Sequence, residues 1–438
     1  MSELKVNKIT PKTGTSIQLG ESGDTITIPC GATLTNNGTA TGFGLSFCTT
    51  VKTSPFTATA NKGFLINTGS AVTVTLPASP STGDELIIVD QTGQAGTNAI
   101  TLGRNSSKIK GACNDLLIAT DRGGVRLVYS GSSQGWITAT AGNDASLQPA
   151  FLGATGGTES TFGNYKIHTF TGDANFQVTR LAASAPNNVI DYIVVAGAGG
   201  GGQGTSAGAG GGGAGGYRSF TSQPVSVQSY PVVVGGGGAG RGPGAAPQSP
   251  GVSGSTSTFI SNSSAGGGGG GSQGPGTGSA GGSGGGGGYP GGSGGAGNTP
   301  PVSPSQGNAG AAIGGCNGGS GGGAGGAAVA ATGPTAHSVA GTGVDISPSY
   351  GPGVGASGFV AGGGGGGAYN APGSASGGAG GGGAGSTRTP GAATGTNGTA
   401  NTGGGGGGAS SYGGPGSGPG MQAGNGGSGV VIIRYLVQ

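Results

Sequence analysis

The sequence predicts a mostly β, fibrous protein that ends in a bundle of extended glycine rods, and three observations carry that prediction. The 242 residues from Gly197 onward hold 93 of the chain's 117 glycines. They carry only five charged side chains, Arg218, Arg241, Asp345, Arg388 and Arg434. The first 196 residues alternate short apolar runs with turn residues, and no window shows convincing 3.6-residue periodicity.

Residues 1–44 read as a β stem of three very short strands, around Ile17 and Leu19, Ile26 and Ile28, and Leu34. Each offers too few inward apolar side chains for one chain to bury a core, whereas three copies around an axis could. A homotrimer is therefore expected. Residues 45–142 read as a small all-β domain, with apolar runs at 64–66, 72–76, 86–89, 100–102, 116–118, 125–129 and 136–137. Turn residues such as Pro77, Pro80 and 104–107 punctuate them, which suits a small sandwich or a piece of β-solenoid. Residues 143–196 read as a linker and a β-hairpin lead-in, with strands at 165–170 and 176–179 turned by 171–174, then a strand at 189–196. The strand at 189–196 and the closing segment 429–438, with its VVIIRYLV run, are expected to pair. That pairing would make 197–428 one closed insertion.

In 197–428 glycine falls in runs: 199–202, 210–213, 235–238, 266–271, 284–288, 362–367, 380–383 and 403–408. Glycine-rich chains are commonly flexible linkers, but Pro, Tyr and Asn separate these runs in the manner of reversing loops. Ordering each residue costs about 1–2 kcal/mol of backbone entropy, most for glycine. Side chains cannot offset that here, so the backbone must. In a polyproline-II-like helix with three residues per turn, N–H and C=O groups point outward toward neighbouring helices. Chains without Cβ atoms can also approach closely enough for Cα–H···O contacts. A run such as 362–367 would span roughly 19 Å at about 3.1 Å per residue. Collagen needs glycine at every third place only, and the unbroken run 266–271 excludes it.

Composition narrows the function. Charged residues make up 7% of the chain and aromatics 5%, unlike an ordinary globular enzyme. The net charge of +3 arises in the glycine-rich part, too dilute to grip nucleic-acid phosphates. Cys30, Cys48, Cys113 and Cys316 lack CxxC spacing and neighbouring histidines, so they read as free thiols with no metal site. Neither a cofactor nor membrane insertion is expected, because no stretch approaches the roughly 20 apolar residues that span a bilayer. MSELKVNKITPKTG lacks the apolar core of an export signal, so Sec export is not expected; a surface protein of this kind can still reach the outside of a cell in a particle released when the host lyses.

Two catalytic patterns fail on context. Residues 197–202 satisfy GxGxxG, but more glycine follows where a helix and a ribose-binding acid are needed. Asp84, Glu85, Asp90, Asp115 and Asp121 could supply the carboxylate pair of a polysaccharide depolymerase, yet each sits near a turn signal. His168 and His337 have no nearby acid in sequence to form a relay. The aromatic residues interrupting the glycine runs, Tyr289, Tyr350, Phe359, Tyr369 and Tyr412, are the candidate ligand contacts. They would otherwise pack over the rod ends. Arg388 and Asp345 are the charges left for polar selectivity.

The segments IDYIVVAGAGGGG (190–202), YPVVVGGGGAG (230–240) and NGGSGVVIIRYLV (425–437) resemble the glycine-rich domain of phage tail fibre proteins, common in marine and cyanobacterial phages. SELKVNKITPKTGTSIQLGESGDTITIP (2–29) is similar to the start of such fibres, and AVTVTLPASPSTGDELIIVD (71–90) to their small β domain. The glycine-rich part is also similar to the tip adhesins of T-even-like phages, in which rods of polyglycine-II type stack in layers. The resemblance implies a virion tail protein, assembled in the host cytoplasm and released by lysis. Residues 1–44 would face a tail adaptor, baseplate or other virion protein, and the loops a host cell-surface glycan or outer-membrane protein. A purely structural head fibre, decoration protein or spacer is the other reading of the same resemblance.

Overall fold

The computed structural model describes residues 13–14, 45–139, 147–205, 207–242, 250–274, 276–388, 394–411 and 421–437. The chain divides into two compact units, Met1–Ser46 and Phe47–Gln438. The expected stem strands, Cys30 and Tyr412 lie outside the described residues. The second unit is nearly all β. Its described residues include one helical turn, Ser347–Tyr350, and one 3-10 turn, Ala185–Asn187.

The first β region packs two sheets face to face. One runs Lys62–Ile66, Glu85–Asp90, Gly124–Tyr129, Trp136–Thr138; the other runs Leu147–Pro149, Leu116–Ile118, Ile100–Gly103, Val72–Thr75, Phe56–Thr57. Between 62 and 103 the chain alternates between the sheets. Lys62–Ile66 therefore lies parallel to Glu85–Asp90, and Val72–Thr75 parallel to Ile100–Gly103, as in successive coils of a solenoid. Antiparallel Leu116–Ile118 and Gly124–Tyr129 end the coil and leave a sandwich. The sequence alternation does this directly: Glu85–Asp90 buries Leu86, Ile88 and Asp90 and leaves the residues between them half-buried. The core gathers Phe64, Ile66, Leu86, Ile88, Leu102 and Trp136.

The second β region also has two sheets. One runs Gly153–Thr155, Ala174–Arg180, Ser229–Val233, Ser257–Phe259, Asn262–Ser264; the other runs Thr158–Phe162, Tyr165–Phe170, Val430–Leu436, Val189–Val195, Tyr217–Pro224. Phe170, Phe176, Tyr192, Phe259, Ile433 and Tyr435 fill the space between them. The strands bracketing the glycine-rich stretch pair antiparallel, from Asp191 opposite Arg434 to Val195 opposite Val430. Both are buried on two faces because residues 344–361 cover the outer side, where Tyr350 and Val360 pack with Ile167, Ile193 and Ile432. The expected hairpin of 165–170 with 176–179 does not form. Those strands enter opposite sheets, and Phe170 and Phe176 meet edge-to-face at 6.5 Å between them. The hairpin partner of Tyr165–Phe170 is instead Thr158–Phe162, turned by Gly163 and Asn164 with Gly163 at φ 57°.

Between the bracketing strands, the glycine runs are neither helix nor regular strand. Their backbone hydrogen bonds repeat every three residues. The N–H groups of Gly197, Ala198 and Gly199 donate to Ser255, Gly427 and Gly213; those of Gly200, Gly201 and Gly202 donate to Val252, Gly424 and Gly210, in the same three segments. Segment 208–216 is enclosed on every side. It donates to 265–271, 319–322 and 403–406, and accepts from 199–202, 283–286 and 364–367. Spacing, rather than φ, demands glycine here. Gly364 is outside the left-handed region, yet a Cβ on it would overlap the Gly406 carbonyl.

Candidate functional site

Hydrogen-bond direction sorts every described reversal of the glycine segments to one of two ends. The chain leaves the sheet at Ala196, runs outward over 197–202, and returns over 208–216 into Tyr217–Pro224; the Gly199–Gly213 and Gly202–Gly210 bonds set that antiparallel order. Tracing each segment in this way places Thr205, Gln273, Tyr289, Cys316, 333–337, 368–373 and Arg388 at the end distal to the strands. Residues 298–306, 324–326, 344–361, 380–381 and 399–403 lie at the proximal end.

The candidate contacts divide between these ends. Tyr289 (37% exposed), the half-buried Tyr369 and the exposed Arg388 are distal. Asp345, Tyr350 and Phe359 are proximal, within residues 344–361. Tyr350 is buried, 5.2 Å from the Arg434 guanidinium, and burial pushes its phenol pKa up. The same guanidinium pairs with Asp191 at 2.9 Å and donates to the Ser349 carbonyl, tying the loop to the closing strand. Asp345 caps the turn, accepting from the Ser347 N–H at 2.9 Å and hydroxyl at 2.6 Å; these bonds hold its carboxyl below the usual range. Phe359 lies opposite Asp345 in a two-stranded ribbon.

Sequence reasoning misses the residue that organises the distal end. Asn317 is buried, and its Oδ1 accepts from the backbone N–H groups of Tyr369, Asn370 and Ala371 at 2.9, 2.8 and 3.2 Å. Its Nδ2 donates to the carbonyls of Pro334 and Ala336 at 2.7 and 3.1 Å. One side chain thereby locks three loops, and the His337 Nε2–H adds a bond to the Pro372 carbonyl at 2.9 Å. Nothing in the surrounding GGCNGGS marks this asparagine, because its partners are up to 54 residues away. A second clasp joins Thr205, whose N–H and hydroxyl both donate to Gln273 Oε1 at 2.9 Å. Buried Ser320, Ser338, Ser386 and Ser410 bond backbone groups beneath these loops.

A family model described as a glycine-rich domain matches residues 177–436, more than half of the chain. The chain belongs to this glycine-rich domain family. The comparison with curated proteins found no match. The glycine-rich domain thus begins within the strand Ala174–Arg180 and ends on the closing strand, so its bounds include the β sheets that anchor the glycine segments.

The chemistry at the distal end is that of a surface, with aromatic rings, amides and hydroxyls on fixed backbone. Among the described residues its charges are Arg241 and Arg388, and no His/Cys/Asp/Glu group could hold a metal ion. Cys48, Cys113 and Cys316 are free thiols. The carboxylates of the first β region each have a structural engagement. Asp84 accepts from Asn61 and the Ser81 N–H, Glu85 pairs with Arg126, Asp121 accepts from the Gly96 N–H, and Asp115 from the Arg104 N–H. Burial pushes the Asp90 carboxyl up, but bonds from the Thr68 hydroxyl and the Gly93, Arg122 and Ala95 N–H groups outweigh it and hold the pKa low.

Proposed function

We propose that this glycine-rich domain protein is a phage tail fibre that attaches the virion to its host through the distal loops, without catalysing a reaction. The observation that carries the reading is Asn317. A spacer needs only short turns between its segments, whereas here a buried side chain on the Gly314–Asn317 turn fixes two further loops, at 334–336 and 369–371, with five hydrogen bonds. Loops held rigid lose less entropy on meeting a ligand. The three-residue repeat of bonding partners supports reading the segments as polyglycine-II rods, a stiff platform for those loops.

In this reading residues 1–44 attach to a tail adaptor or another virion protein, and three copies associate. Trimerisation multiplies weak contacts through effective concentration. Tyr289, Tyr369 and Arg388, with Tyr412, are the contact candidates toward a host glycan or outer-membrane protein. The engaged carboxylates of the first β region favour a non-catalytic role. The test is binding of the fluorescently tagged full-length protein to host cells, with competition against phage adsorption. Saturable, competing binding supports the attachment role; a folded preparation that does not bind counts for a structural fibre. A native mass of one chain would remove the trimer.

A further inference from the structure

A cleft of about 600 Å³ opens between the first β region and the closing sheet, lined among others by Arg104, Asn105, Ser106, Asn114, Asp115 and Lys166. Its volume lies in the range of small-ligand sites. Two further observations fall on its wall. Asn105 and Ser106 both have left-handed backbone, at φ 45° and 70°, inside a turn closed by the Ser107 N–H to the Arg104 carbonyl at 3.0 Å. Two left-handed central residues make a type I′-like turn, where glycine is the usual second residue. Serine there is strained, and strain of this kind concentrates at ligand sites. The Arg104 guanidinium, half-buried on the same turn, has no hydrogen-bond or ion-pair partner among the described residues. Lys166 across the cleft is already neutralised by Glu159 at 2.6 Å.

We propose that this cleft binds a small hydroxylated carboxylate, a sugar acid of the uronate type. The Arg104 fork matches a carboxylate in two parallel bonds. Arg104 is the one cation among the described lining residues without a side-chain partner, so the site offers a single fork to a single carboxylate. Asp115, in the same wall, accepts hydroxyl protons and disfavours a phosphate dianion, while Ser106 and Asn114 present a hydroxyl and an amide to the remaining ring oxygens. The site is independent of the attachment reading, since it lies away from the distal loops.

The test is calorimetric titration of the full-length protein with sodium glucuronate, its methyl ester and inorganic phosphate. Saturable glucuronate binding is expected, at least tenfold weaker in Arg104→Gln, with neither the ester nor phosphate binding comparably. Arg104→Gln strands no protein partner, so folding should persist. Ser106→Gly relieves the turn: the melting temperature should hold or rise while glucuronate binding weakens, and binding unchanged in this variant would make the turn merely structural and overturn its role. No saturable binding by the folded protein, equal binding by Arg104→Gln, or phosphate bound as tightly as glucuronate would each overturn the site.

Discussion

Gly364 and Gly236 lack a side chain alike but meet opposite surroundings. A Cβ at Gly364 would overlap the backbone of Gly406, whereas one at Gly236 would have nothing within 4 Å, and neither residue has positive φ. Overpacking costs about 1–3 kcal/mol when side chains can yield. Backbone cannot rotate away, so Gly364→Ala should destabilise by about 3 kcal/mol or more. Gly236→Ala should be neutral or stabilising by up to about 1 kcal/mol, through a less mobile unfolded chain. Thermal melts of the two variants check this, and equal effects would refute close packing of the segments. Asn317→Ala is the second residue-scale test. It strands three N–H and two C=O groups, each loss worth about 1–3 kcal/mol if it stays dry. Hydrogen exchange at Tyr369, Asn370 and Ala371 should accelerate by at least tenfold; unchanged protection would mean that the loop holds itself. The contrast with Tyr350 shows what single residues reveal in sequence. Aromatic type marks Tyr350 and Tyr289 equally, and only the long-range fold buries one and exposes the other.

Among the elements, strands are legible wherever one face is apolar at alternate positions, as in Glu85–Asp90, or both faces are, as in Val430–Leu436. Partner choice is less legible, because it depends on which sheet an inward aromatic reaches. Phe170 and Phe176 sit six residues apart, near enough to suggest a hairpin, yet both fill the inter-sheet core from opposite sides. Beside them, His168 joins three strands. Its Nδ1–H donates to the Gly156 carbonyl at 2.6 Å, and its Nε2 faces the Tyr435 hydroxyl at 3.3 Å, which accepts from the Ala154 N–H at 3.1 Å. Burial lowers the His168 pKa below 6.5, with the Gly156 bond and Glu159 opposing it, and burial raises Tyr435 to about 12. The unfolded chain therefore takes up a proton first as pH falls. Stability is fully present above about pH 6.5 and declines below it toward the lower folded pKa. The chain has two histidines, and His337 is on a distal loop, so His168→Gln should flatten the stability profile between about pH 7 and 5. Denaturant midpoints measured across that range decide it, and an unchanged slope in the variant would assign the dependence elsewhere.

For the whole molecule, the arrangement ties two kinds of order together. The glycine segments bury almost no side-chain mass, so their hydrogen bonds persist only while both ends of the array are held. The sheets hold them: 197–202 continues Val189–Val195, 208–216 runs into Tyr217–Pro224, and the last segment ends on Val430–Leu436. In return, residues 344–361, carried between two glycine segments, cover the outer face of the sheet at Ile193 and Ile432. Neither part has a complete core without the other. A charge placed in that face should therefore release both. Ile432 is fully buried, and Ile432→Lys should cost about 4 kcal/mol, at the upper end of point substitutions. Hydrogen exchange read by mass spectrometry on the variant should show peptides from 208–216 losing protection in step with those from 189–195. Glycine amides that stay protected while the bracketing strands open would mean that the segments fold on their own. The sheets would then be only their attachment, and the distal loops would owe their rigidity to the glycine array alone.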